Sequence, residues 1–133
     1  MSDLNLPQNT LVVVTTGEEA KLFRMKGERL KADGEWEPQN LADEGPSGKS
    51  PAEQSDKESM EATFSKQVAE RLYALAHKGA YSKLVLAADP DSLGEIRPLL
   101  HKEVLSKMIL ELDKTLINSS VDDIERSIAS AMK

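Results

Sequence analysis

Lys83-Leu-Val-Leu-Ala-Ala-Asp-Pro-Asp-Ser-Leu-Gly-Glu-Ile-Arg97 is the stretch on which the reading of this chain turns. Leu84 to Ala88 is apolar without alternation, the pattern of a strand buried on both faces of a sheet. Asp89-Pro90-Asp91-Ser92 follows at once. Those residues make turns, and they also start helices: a side-chain oxygen stands just ahead of a proline at the first helical position. Strand, polar loop and helix start, in that order, form the unit at which open α/β sheets meet their ligands.

Toward the N-terminus, Leu11-Val-Val-Val14 is a β-branched run bounded by Asn9 and Gly17 and predicts a central strand. Ala20 to Lys26 alternates, and Gly17-Glu-Glu between the two predicts an antiparallel hairpin. Glu28 to Ala32 reads as a weaker third strand ended by Asp33-Gly34. Residues 35–58 are polar and rich in Gly, Pro and Ser, and read as a long flexible loop. Ser55-Asp-Lys-Glu58 has the form of a capping box. The helix after it carries Met60, Phe64, Val68, Leu72 and Leu75 as an apolar stripe and stops near Gly79.

Beyond the quoted stretch, Pro98 divides the next helix, with Ile96, Leu99, Leu100 and Val104 facing the core. Met108 to Leu112 is a further strand, and Ser120 caps a last helix with Val121, Ile124, Ile128 and Met132 as its stripe. The expectation is one α/β domain over residues 1–133 with a single core. Its mixed five-stranded sheet has the order 3-2-1-4-5, with helices on both faces, as in ribonuclease-H-like folds.

The composition narrows the function classes. No cysteine is present, which removes disulfides, thiolate metal sites and thiol nucleophiles. No apolar run approaches a membrane span and the N-terminus has no basic, apolar leader, so the expected location is cytoplasmic with no membrane partner. The net charge of −6 opposes bulk attraction to nucleic acid. The acidic excess sits in the first sixty residues, and the remainder is close to neutral.

In the expected topology the carboxyl ends of strands one, four and five meet on one edge. Thr15 and Thr16, Asp89 and Asp91, and Asp113 and Lys114 converge there, with Arg97 nearby and Lys49 on the polar loop. In a binding site the threonines supply hydroxyl hydrogen bonds, and Arg97 and Lys114 meet phosphate or carboxylate. Asp89, Asp91 and Asp113 read either as a Mg²⁺ cluster of a metal-dependent nuclease or as helix caps and strand-end ion-pair partners. The first strand lacks the acid a ribonuclease-H-like metal site would want, which favours the caps. Gly45-Pro-Ser-Gly-Lys-Ser50 resembles the end of a phosphate-binding loop, but Asp43 stands where that pattern needs glycine. Eight cations, Lys66, Arg71, Lys78, Lys83, Arg97, Lys102, Lys107 and Lys114, read as a strip for phosphate backbone or as a solvated mixed surface. No cofactor motif occurs and no cofactor is expected.

Leu11-Val-Val-Val14, Ala20-Lys-Leu-Phe-Arg24, Leu84 to Gly94 with Arg97, and Glu111-Leu-Asp-Lys-Thr-Leu116 together resemble the bacterial family of host attachment proteins, "protein required for attachment to host cells". That family is similar in fold to the ribonuclease-H-like central domain of archaeal and eukaryotic peptide release factors. In those factors a Gly-Gly-Gln in the loop before the long helix promotes peptidyl-tRNA hydrolysis. The matching loop here, Asp43 to Ser55, has no such tripeptide; Gln54 follows Glu53. The resemblance implies a non-catalytic binding module associated with the ribosome or RNA. The alternatives are a metal-dependent nuclease or peptidyl-tRNA hydrolase, and a protein–protein adaptor in host colonisation.

Overall fold

The computed structural model describes residues 6–37 and 56–132, with side chains of the long helix described from Thr63 onward. Five strands, β1 (Thr10–Thr15), β2 (Ala20–Lys26), β3 (Arg29–Trp36), β4 (Lys83–Ala88) and β5 (Met108–Leu112), form one sheet in the order β3-β2-β1-β4-β5. β1 pairs antiparallel with β2 and β2 with β3, whereas β4 lies parallel to β1 and to β5. The expected order and mixed pairing are therefore present. Every residue of β1 is buried, and so are Leu84 to Ala88 of β4, as their unbroken apolar runs require.

The helices are α1 (Asp56–His77), α2 (Pro90–Ile96), the short α3 (Lys102–Leu105) and α4 (Val121–Ala131). The sheet divides the apolar interior into two layers, where a single core was expected. Phe64, Val68 and Leu72 of α1, Ile96 of α2 and Val104 of α3 pack on Leu11, Val13, Leu84 and Leu86. On the other face Ile124 and Ile128 of α4, with Leu116 and Ile117, pack on Val12, Val14, Val85 and Ala87. Successive residues of β1 and β4 thus feed opposite layers, which follows from the two-residue period of a strand.

The ends of the elements follow local chemistry. α1 closes in a Schellman motif: Gly79 has φ of 73°, Gly79 N–H donates to Ala76 O at 3.0 Å and Ala80 N–H to Leu75 O at 2.9 Å. The capping box at Ser55 and the side chain of Met60 lie outside the described residues. β3 does not end at Asp33-Gly34. Leu22 pairs with Gly34 and Phe23 with Ala32, so Asp33 is an extra residue in a bulge, and Gly34 at φ 140° lets the strand resume to Trp36. Of the polar loop expected over 35–58, β3 takes the first two residues and α1 begins at Asp56; residues 38–55 lie outside the described set.

Two expected core residues are at the surface. Pro98 does divide the helix, but the 3-10 turn it creates, Arg97–Leu99, winds more tightly than an α-helix. Leu99 is left 48% exposed while Leu100 turns inward at 7%. Met132, 38% exposed, lies past the last residue of α4.

The outer edge of β3 is tied to α4. Glu125, 7% exposed, accepts the Leu30 N–H at 2.8 Å and both of its oxygens accept from Arg29 Nε at 3.1 Å. Arg29 also pairs with Asp122. The Glu125 hydrogen bond and charge hold the Arg29 guanidinium above its ordinary range. The opposite edge strand, β5, has no strand outside it among the described residues, and Ile109 is 40% exposed there.

Tyr81 gives the fold an alkaline limit. It is 1% exposed and its hydroxyl donates to Leu72 O at 3.0 Å. Burial, and secondarily the Glu103 carboxylate, push its pKa up to about 12. Between pH 10 and that value the unfolded chain releases a proton that the folded chain keeps, so stability falls as pH rises. The expected loss approaches about 2–3 kcal/mol across the window. Tyr81→Phe should cost about 1 kcal/mol at neutral pH and remove this share of the alkaline loss. Urea unfolding of both proteins at pH 9 and pH 11.5 checks it; parallel falls in the two proteins would refute the assignment.

Candidate functional site

β1 and β4 end side by side, Thr15 opposite Ala88, and the loops that leave them meet. The hairpin after β1 turns on Thr16, whose Oγ1 accepts from the N–H groups of Glu18 at 3.1 Å and Glu19 at 3.3 Å. The loop after β4 turns on Asp89, the N-cap of α2, whose Oδ2 accepts from Ser92 N–H at 3.1 Å. Pro90 at the first helical position and Asp91 in the first turn complete a favourable start for a short helix. The segment after β5 supplies the third wall.

Between these loops lies an open cleft of about 470 Å³. Thr16, Gly17, Glu18 and Glu19 line one side; Asp89, Asp91, Ser92 and Glu95 line another; Thr115, Ile117 and Asn118 close it. Five of these side chains are carboxylates and none is basic. The cleft therefore suits hydrogen-bond donors and positive charge, and opposes phosphate. No group of three acidic or histidine side chains among the described residues is placed to hold a metal ion.

The residues singled out in the sequence are distributed as follows. Thr16, Asp89 and Asp91 share the cleft. Thr15 lies beneath it, 1% exposed, with its hydroxyl directed at the carbonyls of Thr16 at 2.9 Å and Glu19 at 3.1 Å. That hydroxyl closes the hairpin and does not face a ligand. Asp113 and Lys114 are exposed just ahead of Thr115 and do not line the cleft. Arg97 is on the flank of β5, its Nε 2.6 Å from Glu111 Oε2, beside Leu105, Ile109 and Leu110. Lys49 lies outside the described residues.

Glu18, Glu19 and Glu95 are the lining carboxylates that sequence reading passed over. The first two were in view as hairpin residues, and their charge at a strand end was the signal. Glu95 is held from below: buried Ser65 of α1 donates to its Oε1 at 3.0 Å. That bond ties α1 to α2 and fixes the back of the cleft. No sequence spacing announces it.

No helix among the described residues is long and apolar enough to cross a membrane. No curated protein matches the sequence. Among solved structures, the chain is similar to an archaeal protein (TM-score 0.50, 19% identity) and to the archaeal translation termination factor aRF1 (TM-score 0.50, 20% identity). In each case the match covers 92% of this chain and 38% of the other, so the chain spans well under half the length of either. At that identity the likeness is one of fold. A family model matches residues 9–128, from the entry of β1 to the later turns of α4, and the chain belongs to bacterial archaeo-eukaryotic release factor family 12.

Proposed function

We propose that this chain is a release-factor-like module that associates with the ribosome and acts there by binding, without itself hydrolysing peptidyl-tRNA. The observation that carries the reading is the family match over residues 9–128, supported by the fold shared with aRF1. Two features favour binding over catalysis. The segment between β3 and α1 contains no Gly-Gly-Gln, the tripeptide that release factors of similar fold use for hydrolysis. The cleft carboxylates sit on the hairpin after β1 and on the loop and helix after β4, with Asp89 engaged as a helix cap and Glu95 held by Ser65.

In this reading the edge holding Thr16, Asp89 and Asp91 accepts donor groups, such as basic side chains of a ribosomal protein. Asp113 and Lys114 flank it, and Lys49 belongs to the segment that leaves β3 at the same edge. Arg97 joins the contact only by giving up Glu111. The location this implies is the cytoplasm.

Pelleting through a sucrose cushion with purified ribosomes at low salt tests the proposal. The chain is expected in the ribosomal pellet, and peptidyl-tRNA on those ribosomes is expected to remain intact. A chain that stays in the supernatant refutes ribosome association. Released peptide refutes the non-catalytic part. Native-lysate partners that are proteins other than ribosomal ones, unaffected by ribonuclease, would favour the adaptor role in host attachment instead.

A further inference from the structure

The sheet carries opposite charge at its two ends. The cleft end is lined by carboxylates with no basic side chain among them. At the other end, where β1, β4 and β5 begin, the register sets lysines in a row. Lys26 ends β2, and the backbone beside it is joined to β1 through Asn9 N–H donating to Met25 O at 3.2 Å. Lys83 opens β4 opposite Thr10 of β1. Lys107 precedes β5, and its carbonyl accepts from Leu84 N–H at 2.8 Å. Lys78 follows the last residue of α1, in a turn anchored to β2 by Arg24 donating to Ala80 O at 2.6 Å. Lys102 opens α3, which is held against the end of α1 by stacking of His101 on Tyr73 at 4.1 Å and by His77 facing Glu103 at 3.5 Å.

None of these five lysines forms an ion pair among the described residues. The acids near them are Glu28 in the β2–β3 turn, Glu103, which His77 already faces, and Asp33, Asp122 and Glu125, which Arg24 and Arg29 engage. Four arginines are already paired, two of them beside this end of the sheet: Arg24 with Asp33, Arg29 with Glu125 and Asp122, and, farther off, Arg97 with Glu111 and Arg126 with Asp123. Of the described cations that no ion pair engages, five gather at this end of the sheet, and Lys21, Lys31, Lys66, Arg71 and Lys114 are spread over the rest of the surface. A net charge of −6 for the whole chain does not reveal this local gathering of lysines.

We infer that the amino-terminal edge of the sheet is an RNA-binding surface that takes the phosphate backbone, with Lys26, Lys78, Lys83, Lys102 and Lys107 as its contacts. The inference rests on the ribosomal reading above and gives it an orientation: phosphate meets the lysine edge while the acidic cleft faces away. Adjacent strands stand about 4.8 Å apart, so the row from β2 to β5 spans about 14 Å. One strand of a duplex presents a phosphate roughly every 3.4 Å of its axis, so the row matches about four phosphates. Contact with four gives affinity that falls roughly a hundredfold between 50 mM and 200 mM salt. The row has Lys rather than Arg and few aromatics beside it, so it tracks backbone without reading bases.

The test compares the wild-type chain with two variants of equal net charge. One carries Lys26→Glu, Lys78→Glu and Lys102→Glu, all exposed at the basic edge. The other carries Lys66→Glu, Arg71→Glu and Arg126→Glu, all exposed elsewhere. Thermal unfolding confirms that each is folded. Binding is read twice, by pelleting with ribosomes and by anisotropy of a labelled RNA hairpin. The edge variant is expected to bind the hairpin roughly thirtyfold more weakly or worse, and the control within about threefold of wild type. Equal losses in the two variants, or none in either, overturn the inference even if the wild type pellets with ribosomes. A wild type that fails to pellet yet binds the hairpin through the basic edge overturns the ribosomal reading and keeps the RNA surface. Failure of wild type in both assays overturns both.

Discussion

Phe64→Ala is expected to lower the unfolding free energy by about 3–5 kcal/mol. Phe64 is fully buried and belongs to the layer built from α1, α2, α3 and one face of the sheet. Truncating it removes the transfer free energy of the ring and leaves a cavity beneath a helix that is itself held by packing. Whole domains are stable by only about 5–15 kcal/mol, so the variant should sit close to its unfolding threshold. Thr63→Ala, one residue earlier and exposed, should change stability by about 0.5 kcal/mol or less. Urea unfolding of the pair decides the matter. A loss below about 1 kcal/mol for Phe64→Ala would mean that α1 is not docked as described.

Glu125→Ala is expected to cost about 1–3 kcal/mol, because it leaves the buried Leu30 N–H without an acceptor. Glu125→Gln keeps an oxygen for that N–H and should recover most of the loss. The effect has a local signature: the Leu30 amide should lose its protection from hydrogen exchange in the alanine variant and retain it in the glutamine one. Unchanged protection in both would show that the N–H is not held by this side chain. The link also joins residues 95 apart, so it stabilises the closing of the chain's last helix onto its third strand.

The elements legible in the sequence are those whose signals are local. β1 and β4 announced themselves as unbroken apolar runs, Gly79 as a helix stop, Ser120 as a cap; Ser120 Oγ does accept from Asp123 N–H at 3.1 Å. What was missed depends on distant partners. Asp33-Gly34 has turn chemistry, but β2 supplies enough pairing to absorb it as a bulge, with Asp33 taking Arg24 at 3.0 Å. Leu99 fits a helical stripe only if the helix stays α-helical, and Pro98 prevents that. Glu125 looked like one more exposed acid in a polar face, and nothing near it in sequence reveals Arg29 or Leu30.

The functional residues divide the same way. Strand ends located the loops carrying Thr16, Asp89 and Asp91, because order 3-2-1-4-5 puts the ends of β1 and β4 together. The electrostatic character of that place was not legible. Arg97 stands two residues after Glu95, yet the turn of the chain sends it to Glu111 on the flank of β5 and leaves Glu95 in the cleft. The lysines that sequence reading strung together as one strip are split by the fold. Lys78, Lys83, Lys102 and Lys107 gather at one end of the sheet, and Lys66, Arg71 and Lys114 lie apart from it.

The two margins of the sheet are treated differently, and that asymmetry limits assembly. β3 is blunted by its bulge and by the carboxylate of α4, whereas β5 is partly apolar and has no strand outside it among the described residues. Extension by an added strand is therefore one-sided. A strand added beside β5 would leave the bulge and the Glu125 carboxylate of β3 at the outer limit of the enlarged sheet.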